Sequence, residues 1–254
     1  MFIKKDKYGV GTGRLRKLRV LSAIIVGCCV LFINTAGVAA NGSVNVESEK
    51  KPEPIAEGEV SAALLAEVGT GRVVYEYNSE EKLPAAGLTR LAALVSVCKG
   101  FDEGRLKPGD AVSVSEYAAG IGGTTAFLKA GEQMDAETML LAAVMINAGD
   151  ATHSLALAAA GSESAAVQEI NACMAGIGVE TNFSEICGAG EKLSASELAK
   201  IGAALTASES YRKFGTKFYE KIEHNTGAGA TELANPNKLV KQYSGCIGVG
   251  TGSS

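Results

Sequence analysis

Covalent acid–base chemistry needs a nucleophilic side chain beside a base, and this chain offers few such pairs. It has two histidines, His153 and His224. His153 lies in Ala/Leu-rich helical text next to Ser154, and His224 ends an expected strand, so both read as surface or core histidines. Thr89, Thr251 and Ser253 carry hydroxyls with no base evident beside them. Cys98, Cys173, Cys187 and Cys246 have spacings that suit no zinc site, and Cys98 and Cys173 read as buried free thiols in apolar helices. An even number of cysteines would permit disulfides in an exported chain, but a chain of this size does not need them. No paired-carboxylate signature is visible. The expectation is a protein with no metal and no cofactor.

Three short stretches stand out instead: Pro84-Ala85-Ala86-Gly87-Leu88-Thr89-Arg90, Asn147-Ala148-Gly149-Asp150-Ala151 and Gly248-Val249-Gly250-Thr251-Gly252. They resemble the three catalytic motifs of the D-alanyl-D-alanine carboxypeptidases, the low-molecular-mass penicillin-binding proteins. In that family they read P-A-S-x-T-K, S-G-N-D-A and G-x-K-T-G. The text between is similar too. Thr70 to Asn78 resembles the hairpin before the nucleophile, Gly122-Gly123-Thr124-Thr125 with Phe127-Leu128 a loop before the second motif, and Asn235-Pro236-Asn237-Lys238-Leu239 the approach to the third. Ile170-Asn171 and Thr181-Asn182-Phe183 also match. Order and spacing hold from about Val60 to Gly252. The resemblance implies an α/β (α+β) serine β-lactamase/transpeptidase-like fold. An antiparallel sheet from both chain ends would carry an inserted helical lobe, with the active site between them.

Each motif lacks the residues that the reaction uses. Gly87 stands where the resemblance places the nucleophilic serine, and without a side chain it forms no acyl-enzyme. Arg90 stands for the lysine, and a guanidinium that stays protonated is no base. Asn147 replaces the second serine and cannot shuttle a proton as a hydroxyl does. Gly149 removes an amide that would hold substrate, and Gly250 a cation that would attract its carboxylate. Thr251 and Gly252 keep the family pattern and could still present backbone to an extended peptide. Thr89 follows Gly87 by two residues, a turn of about 200° on a helix, so it should face elsewhere. Asp150 matches the family and reads as a structural cap for a helix beginning at Ala151. The expected function is therefore an exported, catalytically inactive relative that binds cell-wall stem peptide or a partner protein completing its sheet edge. The alternatives are an active serine-type carboxypeptidase using a non-standard nucleophile in peptidoglycan remodelling, and a scaffold module or non-functional truncated product.

These positions need elements to hold them. Val60–Val68 and Arg72–Tyr77 read as strands joined by Gly69-Thr70-Gly71, and Leu88–Cys98 as a helix buried on most sides. Helices are expected over Glu137–Ile146 behind an Asp135 cap, over Ala151–Ala160 ending at Gly161, over Ser164–Gly176, and from a Ser194…Glu197 capping box to about Ala207. Phe218–Glu223 and Cys246–Gly250 read as further strands. In the family more strands and a helix follow the third motif, whereas only Ser253 and Ser254 follow Gly252, so the expected sheet is incomplete at that end.

Residues 1–40 read as a signal segment, with a basic start from Lys4 to Arg19, an apolar run from Val20 to Ile33 and a Val38-Ala39-Ala40 cleavage site. An uncleaved anchor is the alternative, and it would be the one contact with membrane. Residues 41–58 read as a polar linker, and 59–254 as the domain. Of 24 Lys+Arg, seven lie in residues 1–40, and of 28 Asp+Glu only Asp6 does, which leaves 17 against 27, a net charge of −10. That balance argues against nucleic acid or anionic lipid as a partner.

Overall fold

The computed structural model describes residues 60–188, 190–227 and 229–252. The expected signal segment, 1–40, and the expected linker, 41–58, lie outside the described residues. The described residues open on an antiparallel hairpin of β1 (Ala63–Ala66) and β2 (Val73–Tyr77), irregular between Leu65 and Ala66. It turns through Gly71, whose φ of 71° suits a residue without a Cβ. β3 (Leu83–Pro84) then leads into a tight 3₁₀ turn, Ala86–Thr89, and on into α1 (Arg90–Asp102).

Helix α1 is apolar on nearly every side, which makes it the central element rather than a surface one. Leu91, Ala92, Ala93, Leu94, Val97 and Cys98 are all buried along it. α4 (Gly149–Ala160), α5 (Glu163–Gly176), α6 (Ala195–Ala207) and α7 (Glu209–Gly215) pack around it. α3 (Ala136–Ile146) packs on α4 and α7. Met139, Leu155, Ile170, Met174, Ile201 and Leu205 fill the space between helices, each worth about 1.5–3 kcal/mol relative to exposure. The caps are local and explicit. Asp135 accepts from Thr138 N–H at the start of α3, Gly161 closes α4 in the left-handed region, and Ser194 with Glu197 forms a complete capping box on α6.

The remaining strands make three more two-stranded antiparallel ladders. β4 (Ala111–Ser113) pairs with β5 (Gln133–Asp135), beside the short α2 (Glu116–Ala119). β6 (Lys192–Leu193) pairs with β3. β7 (Tyr219–Glu223) pairs with β8 (Ala230–Ala234), which a short α8 (Leu239–Gln242) follows. The mixed α/β class and the helical middle are as expected. The joined sheet differs: among the described residues no strand from the C-terminal half pairs with β1 or β2. Residues 246–250 also depart from expectation, because they run as irregular backbone and not as a strand, as do 251 and 252 after them. This segment is seated by side chains instead: Asn237 Nδ2 donates to the Val249 carbonyl at 3.0 Å, and Gly248, at φ 113°, lies against the Tyr211 hydroxyl. Among the described residues no helix is long and apolar enough to cross a membrane.

Candidate active-site cleft

The 3₁₀ turn before α1, the junction of α3 with α4, and the segment ending at Gly252 meet at one open cleft of about 620 Å³. Gly87, Arg90, Asn147, Thr251 and Gly252 line it. Gly149 and Gly250 lie just behind: the space for a side chain at 149 abuts Arg90, and that at 250 abuts Leu91 and Asn147. The three stretches singled out in the sequence are therefore one site. Glu116, Tyr117, Glu185 and Cys187 also line it, and sequence reading missed them.

Gly87 leaves the floor of the cleft bare, since a Cβ built there would meet nothing within 4 Å. The Asn147 side chain reaches across to it, with Nδ2 donating to the Gly87 carbonyl at 2.7 Å. Asn147 achieves this from the left-handed region, φ 56°, at the C-terminus of α3, a conformation asparagine tolerates better than most residues. The amide orientation follows from chemistry: a carbonyl must receive a donor, so Nδ2 faces Gly87 and Oδ1 faces away. That Oδ1 is buried and has no partner.

Arg90 begins α1 and is 8% exposed. Its guanidinium donates to three backbone carbonyls: Gly122 at 2.5 Å, Thr124 at 2.8 Å and Asn147 at 3.3 Å. It thereby ties the 121–124 loop to the end of α3. Its head also fills the volume of the missing side chain at 149, where a built Cβ would lie 2.8 Å from Arg90 Cζ and 2.8 Å from Ile121 Cγ2. The arginine in the first stretch and the glycine in the second thus fit each other. The guanidinium is held as a structural tie by three carbonyls and, being always protonated, cannot accept a proton.

The other chemistry-bearing residues fall outside a catalytic arrangement. Thr89 is buried and gives its hydroxyl to the carbonyls of Ala86 and Gly188, facing away from the cleft as expected. Cys187 directs its thiol to the Gly149 carbonyl at 3.6 Å, and burial pushes its pKa up to about 12, with Arg90 opposing. A thiol so held is a poor nucleophile at neutral pH. His153 is core, bonded through Nε2 to Glu163 at 3.2 Å. The His224 ring is enclosed and bonded to Glu132 and Thr231. Asp150 has a different task from the cap expected of it. It accepts from Ala126 N–H and Leu128 N–H as well as Ala151 N–H, clamping a turn in which Phe127 adopts φ 60° and points into solvent. Ser253 lies outside the described residues. Among the described residues no group of three or more His, Cys, Asp or Glu is placed to hold a metal ion.

Comparison with known proteins agrees with this geometry. A profile of the D-alanyl-D-alanine carboxypeptidase family matches residues 46–254. The chain is 31% identical over 238 residues to the D-alanyl-D-alanine carboxypeptidase DacF of Bacillus subtilis (strain 168), covering 92% of this chain and 59% of that protein. It therefore spans about three-fifths of the length of that relative. Among solved structures, a penicillin-binding protein homolog from Mycobacterium tuberculosis superposes with a TM-score of 0.68 at 20% identity, covering 79% of this chain and 76% of that one. The D-alanyl-D-alanine carboxypeptidase DacD of Francisella tularensis gives 0.68 at 18% identity, covering 85% and 65%. A Streptomyces K15 DD-transpeptidase variant gives 0.66 at 20% identity, covering 76% and 80%. With the three stretches gathered on one cleft and the profile running through all of them, the chain belongs to the D-alanyl-D-alanine carboxypeptidase family.

Proposed function

We propose that this chain is a non-acylating member of its family, working outside the cytoplasmic membrane, whose cleft binds a cell-wall stem peptide without cleaving it. The observation that carries the reading is the pairing of a bare Gly87 with an Arg90 tied to three backbone carbonyls. Acyl transfer needs a nucleophile and a base within hydrogen-bond reach of each other. The hydroxyl and thiol groups that remain in the cleft, on Tyr117, Thr124, Cys187 and Thr251, have no hydrogen bond to a carboxylate or histidine among the described residues. The cleft itself is open and large enough for a peptide segment. Extracytoplasmic placement rests on the basic and apolar pattern of residues 1–40 and on the family's substrate, and fractionation of cells expressing the full chain tests it.

The catalytic half of the reading is tested by intact-mass analysis of the full-length chain after incubation with a reactive penicillin. No mass increase in folded protein is expected. A stoichiometric adduct mapped to Cys187 or Thr251 refutes the reading and reveals a substitute nucleophile. A second reading, a scaffold that pairs with a partner strand, is favoured by one observation: β2 exposes both Val73 and Val74 and, among the described residues, has a single neighbouring strand.

A further inference from the structure

We propose that His153 is a positioning residue for the cleft wall: its protonation state sets whether Tyr117 lies packed against it. The inference concerns the wall and not the ligand, so it stands whatever the cleft binds.

Tyr117 lines the cleft and is 58% exposed. Its ring meets the His153 ring, with centroids 5.0 Å apart and planes inclined by 43°, within the range that aromatic pairs favour. His153 stands on α4 and is 1% exposed. Tyr117 is thus the link between a buried titratable ring and the cleft. It rides on α2, four residues long and capped by Ser115, and a single turn has little stiffness of its own. The contact beneath it therefore has leverage over where the tyrosine stands.

The His153 ring is hydrogen-bonded through one nitrogen only. Nε2 lies 3.2 Å from Glu163 Oε1, and since a carboxylate accepts, Nε2 carries the hydrogen. Nδ1 is enclosed and has no partner. In the neutral ring it is a bare acceptor. In the protonated ring it becomes an N–H with nothing to donate to, and an unpaired donor on a charged group costs the more of the two. Glu163 does not remove that cost, because it sits on the other nitrogen with its side chain half exposed. The Tyr117 face offers a cation some attraction, which is weaker than the bond a charged donor makes to water. Tyr117, exposed and on a single turn, is the neighbour that yields, and its departure uncovers the imidazole. The other titratable groups at this corner are Asp150, Arg90, Cys187, Glu116 and Glu185. Asp150 and Arg90 are engaged with backbone N–H and carbonyl groups, burial keeps the Cys187 thiol protonated, and Glu116 and Glu185 are exposed, where solvent screens them. The structure shown is the one that suits the neutral ring, and acid should release Tyr117.

The test is an NMR titration of the labelled full-length chain from about pH 8 to about pH 5, the interval in which histidine ordinarily changes charge. The nuclear Overhauser effect between the Tyr117 and His153 rings should fade, and the amides of Gly120 and Gly122 should shift, with the midpoint of the His153 Cε1 resonance. His153→Phe keeps a ring that takes up no proton, so the contact from Tyr117 to the ring at 153 should persist across the whole interval. Glu163→Gln keeps an acceptor and removes the charge. It should move the His153 midpoint and the Tyr117 transition down together, by a few tenths of a pH unit, and its exposed position leaves folding intact. A ring contact that survives His153 protonation overturns the proposal, as does a His153 that does not titrate in this interval. So does a Tyr117 transition that remains in His153→Phe, or one that stays put in Glu163→Gln while the His153 midpoint moves.

Discussion

Gly149→Ala should destabilise this protein, and Arg90 should be the reason. A Cβ at 149 would lie 2.8 Å from Arg90 Cζ, 2.8 Å from Ile121 Cγ2 and 3.0 Å from Arg90 Nη1, whereas carbon contacts settle near ~3.5–4.0 Å. The guanidinium would have to retreat by the better part of an ångström, and its bonds to the Gly122, Thr124 and Asn147 carbonyls resist that. Overpacking of this kind costs about 1–3 kcal/mol, and weakening a hydrogen bond to a charged group adds about 1.5–3 kcal/mol. Alanine's helical advantage over glycine returns at most about 1 kcal/mol, and less at the first residue of α4. The net expectation is a loss of about 1.5–6 kcal/mol, which at this size lowers Tm by roughly 3–24 °C. The decisive experiment is a double-mutant cycle read by urea denaturation. Arg90→Ala removes the obstacle at its own cost of about 2–4 kcal/mol. In that background Gly149→Ala should cost about 1 kcal/mol or less, with Ile121, on a loop, left to adjust. Equal costs of Gly149→Ala in both backgrounds, within the ~0.5 kcal/mol expected of independent sites, refute the coupling.

Gly87→Ser should fold normally, because its Cβ enters open space, yet should gain no penicillin adduct by intact mass, since Arg90 supplies no base. Glu197 links Lys82, Thr181 and the start of α6. Burial alone would raise its carboxyl, but the bonds from Lys82, Ser194 N–H and Thr181 outweigh this and hold it below 4.5. Its contribution is therefore complete above pH 4.5 and is lost as pH falls through the lower folded value. Glu197→Gln should cost about 1–3 kcal/mol at pH 7, and the fall of Tm below pH 4.5 should become shallower. Asp150→Asn replaces an acceptor oxygen facing two N–H groups, so a loss of about 2–3 kcal/mol is expected, with faster proteolytic cutting near Phe127.

Local signals were the legible part of this fold. The Gly69-Thr70-Gly71 turn, the Asp135 and Gly161 caps and the Ser194…Glu197 box each act within a few residues, so their helices and hairpin stand close to where the sequence places them. The gathering of Gly87, Asn147 and Thr251 on one cleft was legible through family resemblance, because nothing in their spacing alone brings positions this far apart together. The partners of Arg90 were not legible at all. They are backbone carbonyls of residues 122, 124 and 147, and a carbonyl carries no mark in the side-chain sequence. Asp150 misled for a related reason. A carboxylate at a helix start suggests a cap, and Asp150 does accept from Ala151 N–H, but its other partners are the N–H groups of Ala126 and Leu128, supplied by a distant turn. Residues 246–250 alternate small and apolar side chains like a strand, but a ladder also requires a neighbour, and among the described residues none is paired with them.

The hairpin at the start of the domain has a consequence for how the molecule breathes. Val73 and Val74 are 49% and 48% exposed, and adjacent strand residues point to opposite faces, so neither face of β2 is sealed. β1 is half-buried throughout and rests on α6. Lifting this pair away exposes little new apolar surface, and two strands alone are marginal in water. Its amide protons should therefore exchange through a local opening that leaves the helices intact, while those of α1 wait for global unfolding. The protein then has two clocks, a fast one in the hairpin and a slow one in the helical core, and a melting curve reads only the second.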